Sequence, residues 1–287
     1  VVYFAGSAAY LKTWHRSIDF RENRVKKEEK PGFFAFGKAS VFRDPLTESI
    51  FKRDFHSFVR EPAQIIHLAV LLFLIVLFVT SMPSVALLAW KRSVLFTTIF
   101  LAVYVFNLFF VITLALRFVF PLISLEGNVI WKVKSAPISL RDLLKKRLSI
   151  PLWIIVALSQ IMSFLVVFKF YRDLVIPFAL ISFAASWFIV MLNFGMGGLF
   201  INLKEKNPVR LSSSQGASIS FLFSVVYLVL LVALLFFPIT RLFHAVVIKA
   251  NTSIVPVLQL SGIIFVISSG VGYFFYRMGV RSLERDV

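Results

Sequence analysis

Six long stretches of the sequence lack Asp, Glu, Lys and Arg altogether. They are 21 to 30 residues long and comprise 62–90, 93–116, 148–168, 174–203, 211–240 and 250–276. About 20 residues in a helix cross the hydrocarbon core of a bilayer, where the backbone must satisfy its hydrogen bonds internally. The pattern therefore predicts an all-α, polytopic membrane protein. Its six transmembrane helices are expected at 64–82, 94–118, 149–168, 174–200, 217–240 and 254–276.

The segment 44–60 predicts a further helix that lies along the membrane surface. Asp44 followed by Pro45 is a typical helix start, because Asp caps the first turn and Pro fits the first helical position. Apolar residues then recur at helical spacing with charged residues between them, and Pro62 ends the pattern. An amphipathic helix of this kind is typical of the membrane interface. A helix buried against cytoplasmic protein would show the same pattern.

The remaining segments differ in character from the spans. Residues 1–11 are uncharged and mostly apolar, and the first basic residue follows them, which is the reverse of the order in a signal peptide. We expect 1–11 to be the truncated end of a preceding transmembrane helix, in a chain that lacks its N-terminal half. Residues 12–43 form a predicted cytoplasmic linker, 64–276 the six-helix transmembrane domain, and 277–287 a cytoplasmic tail.

The basic residues follow this topology. The chain has 31 Lys and Arg against 14 Asp and Glu, a net charge of +17, which by itself would favour nucleic-acid binding. However, 25 of the 31 fall on the side of the linker, the second and fourth connections and the tail. Cytoplasmic loops are enriched in Lys and Arg. We therefore predict that 12–60 and the tail are cytoplasmic and that no nucleic acid is a partner.

The predicted spans contain little chemistry. None has Asp, Glu, Lys or Arg in its interior, whereas ion-coupled carriers usually need such residues. The chain has no Cys, and its four His lack metal-binding spacing. The stretch 32–39 matches a phosphate loop except at Ala39, which replaces the Ser or Thr that would bind Mg²⁺. We predict no catalytic residue, no metal site and no cofactor bound by this chain.

Three stretches resemble the membrane subunits of type-2 ATP-binding-cassette (ABC) exporters. The first cytoplasmic loop of that family is similar to Phe120-Pro121…Ser124-Leu125-Glu126-Gly127…Trp131…Lys134-Ser135-Ala136-Pro137-Ile138-Ser139. The family's connecting helix is similar to Lys52-Arg53-Asp54…Arg60-Glu61-Pro62, although Glu61 stands where an Asp is usual. The stretch 195–216 resembles the loop after the fourth span in a bacterial and archaeal subgroup whose chains carry two six-helix halves.

The resemblance implies a permease subunit of an exporter in the cytoplasmic membrane of a prokaryote. A separate cytoplasmic ATPase subunit would bind and hydrolyse ATP with Mg²⁺, and the missing N-terminal half and the lipid bilayer would be the other partners. The implied ATPase-coupling loop comprises Glu126, Gly127, Trp131, Pro137, Ser139 and Asp142. The implied connecting helix contributes Phe51, Arg53, Asp54, Phe55 and Arg60, and the implied second cytoplasmic loop Asn207, Pro208 and Gly216.

Two other functions remain open on the sequence. The same helices could form a membrane scaffold or assembly protein that transports nothing. A membrane-embedded lipid-modifying enzyme would need acids or His clustered at one interface, and the few acids here are scattered along the chain.

Overall fold

A computed structural model describes residues 45–59, 62–89, 93–129, 140–205, 207–248 and 253–286. The chain divides into two compact units, 1–48 and 49–287. In the first unit only the opening turn of a helix is described. The predicted segments 1–11 and 12–43, with the near-match to a phosphate loop, therefore lie outside the described residues.

The described residues are mainly helical. In chain order the α-helices are α1 (Pro45–Val59), α2 (Pro62–Ala89), α3 (Ser93–Leu114), α4 (Leu140–Phe170), α5 (Val175–Leu199), the short α6 (Pro208–Leu211), α7 (Gln215–Val247) and α8 (Val255–Asp286). A π-helical turn at Ala115–Val119 follows α3 and leads into 3₁₀ turns at Phe120–Leu122 and Ser124–Val129. A further 3₁₀ turn, Arg172–Leu174, precedes α5.

Five stretches of the described chain are long and apolar enough to cross a membrane. They are Ser93–Glu126, Arg141–Phe170, Arg172–Leu199, Gln215–Val247 and Val255–Ser282, and they match the second to the sixth predicted span. The prediction of an all-α, polytopic membrane fold is confirmed. Helix α2 covers the first predicted span with 28 residues, but its described apolar stretch is the shorter Ile65–Leu77. A membrane crossing by the first predicted span therefore stays a prediction.

Several helices extend beyond the apolar windows that predicted them. Helix α4 begins at Leu140, nine residues before the predicted span at 149–168, and continues through Pro151 without a break. Helix α8 continues to Asp286, through most of the predicted tail. Hydropathy marks the boundary of the lipid, whereas backbone hydrogen bonds can carry the same helix on into water.

Helices α3 and α5 pack side by side and run in the same direction. The rings of Phe100 and Phe178 lie 4.9 Å apart between centroids, and one turn further on the hydroxyls of Tyr104 and Ser182 share a hydrogen bond of 3.0 Å. Both pairs are separated by 78 residues, so the two helices keep one register along the contact. Successive spans cross a membrane in opposite directions, so the second and fourth spans must run in the same direction, as α3 and α5 do.

Glycines bring α5 and α8 together backbone to backbone. A Cβ added at Gly195 would collide with the carbonyl group of Phe275, and one added at Gly198 would lie 2.7 Å from the carbonyl oxygen of Gly279. Small residues allow such close crossings in lipid, where apolar helices gain little from the hydrophobic effect. The glycines of the fourth span therefore permit close helix contact.

A cluster of buried aromatic rings joins four helices at the end where α3 begins. Phe100 of α3 contacts Phe170 of α4, Phe178 of α5 and Phe243 of α7, with ring centroids 5.4, 4.9 and 5.6 Å apart. All three contacts are edge-on, a favoured geometry for aromatic pairs. At the opposite end of the bundle α3 finishes and α4 and α7 begin. A group of paired charged side chains lies there. We call this end the charged end.

Candidate functional site

Four charged side chains meet at the charged end. Arg53 and Asp54 belong to α1, Glu126 to the 3₁₀ turn after α3, and Arg147 to the start of α4. We call this set the charged junction. The side chains of Glu126 and Arg147 are 6% and 7% exposed, so their ion pair lies inside the protein.

Glu126 accepts hydrogen bonds from both arginines. Arg53 donates to its two carboxylate oxygens at 2.8 and 3.4 Å, and Arg147 Nη1 donates to Oε1. Arg147 also donates to the carbonyl oxygen of Leu122 at 2.9 Å and to the Asp54 carboxylate at 3.1 Å. Two guanidinium groups and two carboxylates thus balance in charge across three segments of the chain.

The junction is arranged to hold segments together rather than to transfer a proton. Burial lowers the pKa of Arg53, but the hydrogen bond to Glu126 and the charges of Glu126 and Asp54 outweigh it, and the pKa is raised overall. Arg53 therefore remains a cation, bound to both carboxylates.

Pro121 accounts for the irregular chain that leads to Glu126. Proline has no N–H and its ring clashes with the carbonyl group four residues earlier, so it kinks or breaks a helix. The chain widens into a π turn instead, in which the Phe120 N–H donates to the carbonyl oxygen of Ala115. The Phe120 carbonyl then packs against Gly197 of α5, where an added Cβ would collide with it.

The connection between α5 and α7 lies beside the charged junction. The backbone N–H of Asn202 donates to the hydroxyl oxygen of Ser124 at 3.1 Å, within the same 3₁₀ turn that carries Glu126. Asn207 caps the short α6, because its side-chain oxygen accepts a hydrogen bond of 2.9 Å from a backbone N–H. Both predicted cytoplasmic loops therefore meet at the charged end.

Comparison with known proteins places the chain in a family. The family whose description reads "Putative ATP-binding cassette" matches residues 1–286. The chain belongs to this family. Comparisons with curated proteins and with solved structures give no match. The chain is therefore an ABC-related membrane protein.

In this ABC-related chain, several of the predicted site residues lie in or next to the charged junction. Arg53, Asp54 and Glu126 join in the charged junction, and Gly127 continues the 3₁₀ turn. Asp142 is exposed on the first turn of α4. The role of each residue in coupling stays a prediction.

Other predicted site residues lie on different surfaces or outside the described residues. Phe51 and Phe55 stack on one face of α1 with ring centroids 5.8 Å apart. Gly216 packs against the side chain of Phe200, and Pro208 is buried at the start of α6. The predicted site residues outside the described part of the chain are Arg60, Trp131, Pro137 and Ser139.

Arg147 and Ser124 were not predicted as site residues. Arg147 had a signal in the sequence, because it shares a helix face with Leu140, Leu144 and Leu148. A cation on an apolar face needs a buried anion. Its partner could not be identified from spacing, since Glu126 is 21 residues away across an irregular connection.

The described part of the chain contains no cluster of three His, Asp or Glu that could hold a metal ion. Several of the buried polar groups in its spans tie helices together. The Ser220 hydroxyl of α7 donates to the Asn193 side chain of α5 at 2.9 Å, and the Tyr227 and Ser268 hydroxyls of α7 and α8 lie 2.8 Å apart. These contacts are structural.

Proposed function

We propose that this chain is the permease subunit of an ATP-driven ABC exporter in the cytoplasmic membrane. A separate cytoplasmic subunit would bind and hydrolyse ATP with Mg²⁺, and this chain would catalyse no reaction. Family membership supports an ABC-related role. The five helices able to cross a membrane favour the permease over the ATPase role, as does Ala39 in the near-match to a phosphate loop.

The charged junction is the observation that carries the proposal. It joins the amphipathic helix α1, the turn after α3 and the start of α4 by ion pairs that are buried at Glu126 and Arg147. Removing one partner of a buried pair is costly, because it leaves an unpaired charge. A force applied to α1 or to the turn would therefore move the ends of α3 and α4 with it.

Coupling of this kind requires discrete rigid-body motion rather than a flexible link. The parallel α3 and α5 move as one unit in this proposal, because Gly197 lets the turn after α3 pack directly on α5. The buried Glu126 positions the loop, and the exposed residues of the loop and of α1 contact the ATPase subunit. The two six-helix halves would alternate between inward-open and outward-open arrangements.

The test is ATP hydrolysis by the complete complex in proteoliposomes. The full-length protein is co-purified with its ATPase subunit, and the wild type is compared with Glu126→Gln. We expect the ATPase rate of the complex to fall by about fivefold or more, while the ATPase subunit still binds nucleotide. The matched control is Asp173→Asn, which removes the same kind of charge from an exposed position at the opposite end of the bundle.

Three results would contradict the proposal. The first is that no ATPase subunit co-purifies with the full-length protein. The second is that Glu126→Gln and the wild type hydrolyse ATP at the same rate and with the same association. The third is an ATPase rate that does not depend on this chain, which would favour the scaffold function.

A further inference from the structure

A half-buried arginine at the end of α3 is not used by the charged junction. Arg117 lies in the π turn that follows the apolar run of α3. Its Nε–H is buried and has no hydrogen-bond partner among the described residues, and its Nη1 donates to the Ser212 hydroxyl at the long distance of 3.4 Å. A guanidinium group has five donors in a fixed fork, so most of its hydrogen-bonding capacity is unused.

The surroundings of Arg117 favour an anion. No carboxylate in the described residues forms an ion pair with it, since Glu126 is bound to two other arginines and Glu205 to Arg210. The Ser212 hydroxyl donates to a backbone carbonyl at 3.0 Å and so offers its oxygen to the guanidinium. His67 of α2 lies within electrostatic range of Arg117, which places the start of α2 near the guanidinium group.

We propose that Arg117 binds the phosphate of a lipid headgroup. Guanidinium groups bind phosphate oxygens by paired, charge-assisted hydrogen bonds. Arg117 is the first charged residue after the charge-free stretch 93–116, which is long enough to cross the hydrocarbon and to bring its end to the headgroups. Next to His67, the side chains of Ile65 and Ile66 are 39% and 63% exposed, a surface suited to acyl chains. A free phosphate ion would make no use of that surface.

The experiment measures thermal stabilisation of the delipidated, full-length protein in detergent by three probes. Phosphatidylglycerol has the phosphate and the acyl chains, diacylglycerol lacks the phosphate, and inorganic phosphate lacks the chains. Of the three probes, we expect only phosphatidylglycerol to raise the melting temperature of the wild type. In Arg117→Gln the apparent affinity for phosphatidylglycerol should fall by about tenfold or more, because a charged hydrogen-bonding partner is lost.

The matched control is Arg277→Gln, which removes the same charge from an exposed position at the same end of the bundle. Arg277 lies 5.4 Å from the centre of the Tyr273 ring, and its substitution should leave the affinity for phosphatidylglycerol unchanged. Arg117→Lys keeps the charge but not the fork of donors. It should bind phosphatidylglycerol more weakly than the wild type, even if Arg117→Gln does not fold.

Several results would overturn the proposal. Equal losses in Arg117→Gln and Arg277→Gln would indicate general attraction to a basic surface rather than a site. Equal stabilisation of the wild type by inorganic phosphate would indicate a site for a free anion, and equal stabilisation by diacylglycerol would indicate binding of the chains alone. Wild-type affinity in both Arg117 variants would exclude Arg117 as the phosphate ligand.

Discussion

At the scale of single residues, Glu126 is the one Asp or Glu among the described residues that is buried. Its counter-ion Arg147 is buried with it. Arg147 approaches from α4, and Arg53 approaches from α1. Neither arginine adjoins Glu126 in the sequence, so the pairing exists only when the three segments have come together. The junction is therefore a sensitive reporter of native packing at the charged end.

Replacing Arg147 by Met should destabilise the protein strongly. The substitution keeps an apolar side chain of similar length but leaves Glu126 with only the half-exposed Arg53, so we expect a loss of about 3 to 5 kcal/mol in the free energy of unfolding. The control, Arg210→Gln, breaks an exposed pair and should cost less than about 1 kcal/mol. Denaturant unfolding in detergent micelles measures both changes.

The double variant Glu126→Gln, Arg147→Met separates the ion pair from other effects of substitution. Because it removes both charges, its cost should be smaller than the sum of the two single costs. Strict additivity would show that Glu126 and Arg147 do not interact in the folded protein.

At the scale of helices, close packing is decided by a few glycines. The contact of Gly195 and Gly198 with α8 leaves no room for a Cβ, whereas a Cβ at Gly270 of α8 would meet nothing within 4 Å. The two kinds of glycine look alike in the sequence, since both lie in apolar helices. Only their neighbours distinguish them.

Gly195→Ala should therefore lower the melting temperature, and Gly270→Ala should not. The first substitution forces the backbones of α5 and α8 apart and weakens the contacts along their crossing. The second adds a methyl group in open space and exchanges Gly for a better helix former, a gain of up to about 1 kcal/mol. Thermal unfolding of the two variants in the same detergent compares them directly. A loss of stability in Gly270→Ala as large as that in Gly195→Ala would contradict the glycine contacts described above.

At the scale of the whole molecule, the positions of basic residues predict which end of the bundle faces the cytoplasm. The charged end contains the turn after α3, the connection between α5 and α7, and the start of α4. By the distribution of Lys and Arg it should face inwards. The chain contains no Cys, so single introduced cysteines can test this orientation without a background.

Ser213→Cys and Ser253→Cys place one exposed thiol on each side of the predicted membrane. In intact cells, a membrane-impermeant maleimide should label Ser253→Cys at once and Ser213→Cys only after permeabilisation. The opposite result would reverse the predicted orientation. Labelling of both from the same side would contradict a crossing by α7, because α7 is the helix that separates the two positions.

The charge-free stretches were sufficient to predict the helical membrane fold, because lipid allows a spanning backbone few alternatives. They were less informative about where each helix ends, as α4 and α8 show by continuing into polar sequence. The resemblance of short motifs singled out Glu126 and Arg53, although Arg147, which completes their ion pairs, was not predicted.

By itself, the sequence determined that long apolar segments become helices and that basic residues gather on one side of them. The first follows because lipid excludes unpaired backbone groups, and the second reflects the enrichment of Lys and Arg in cytoplasmic loops. Only the tertiary structure decided which charges pair in the charged junction, that Arg117 has no counter-ion among the described residues, and which glycines touch a neighbouring helix. These features depend on contacts between residues far apart in the chain, and no local pattern specifies which distant residue will be the neighbour.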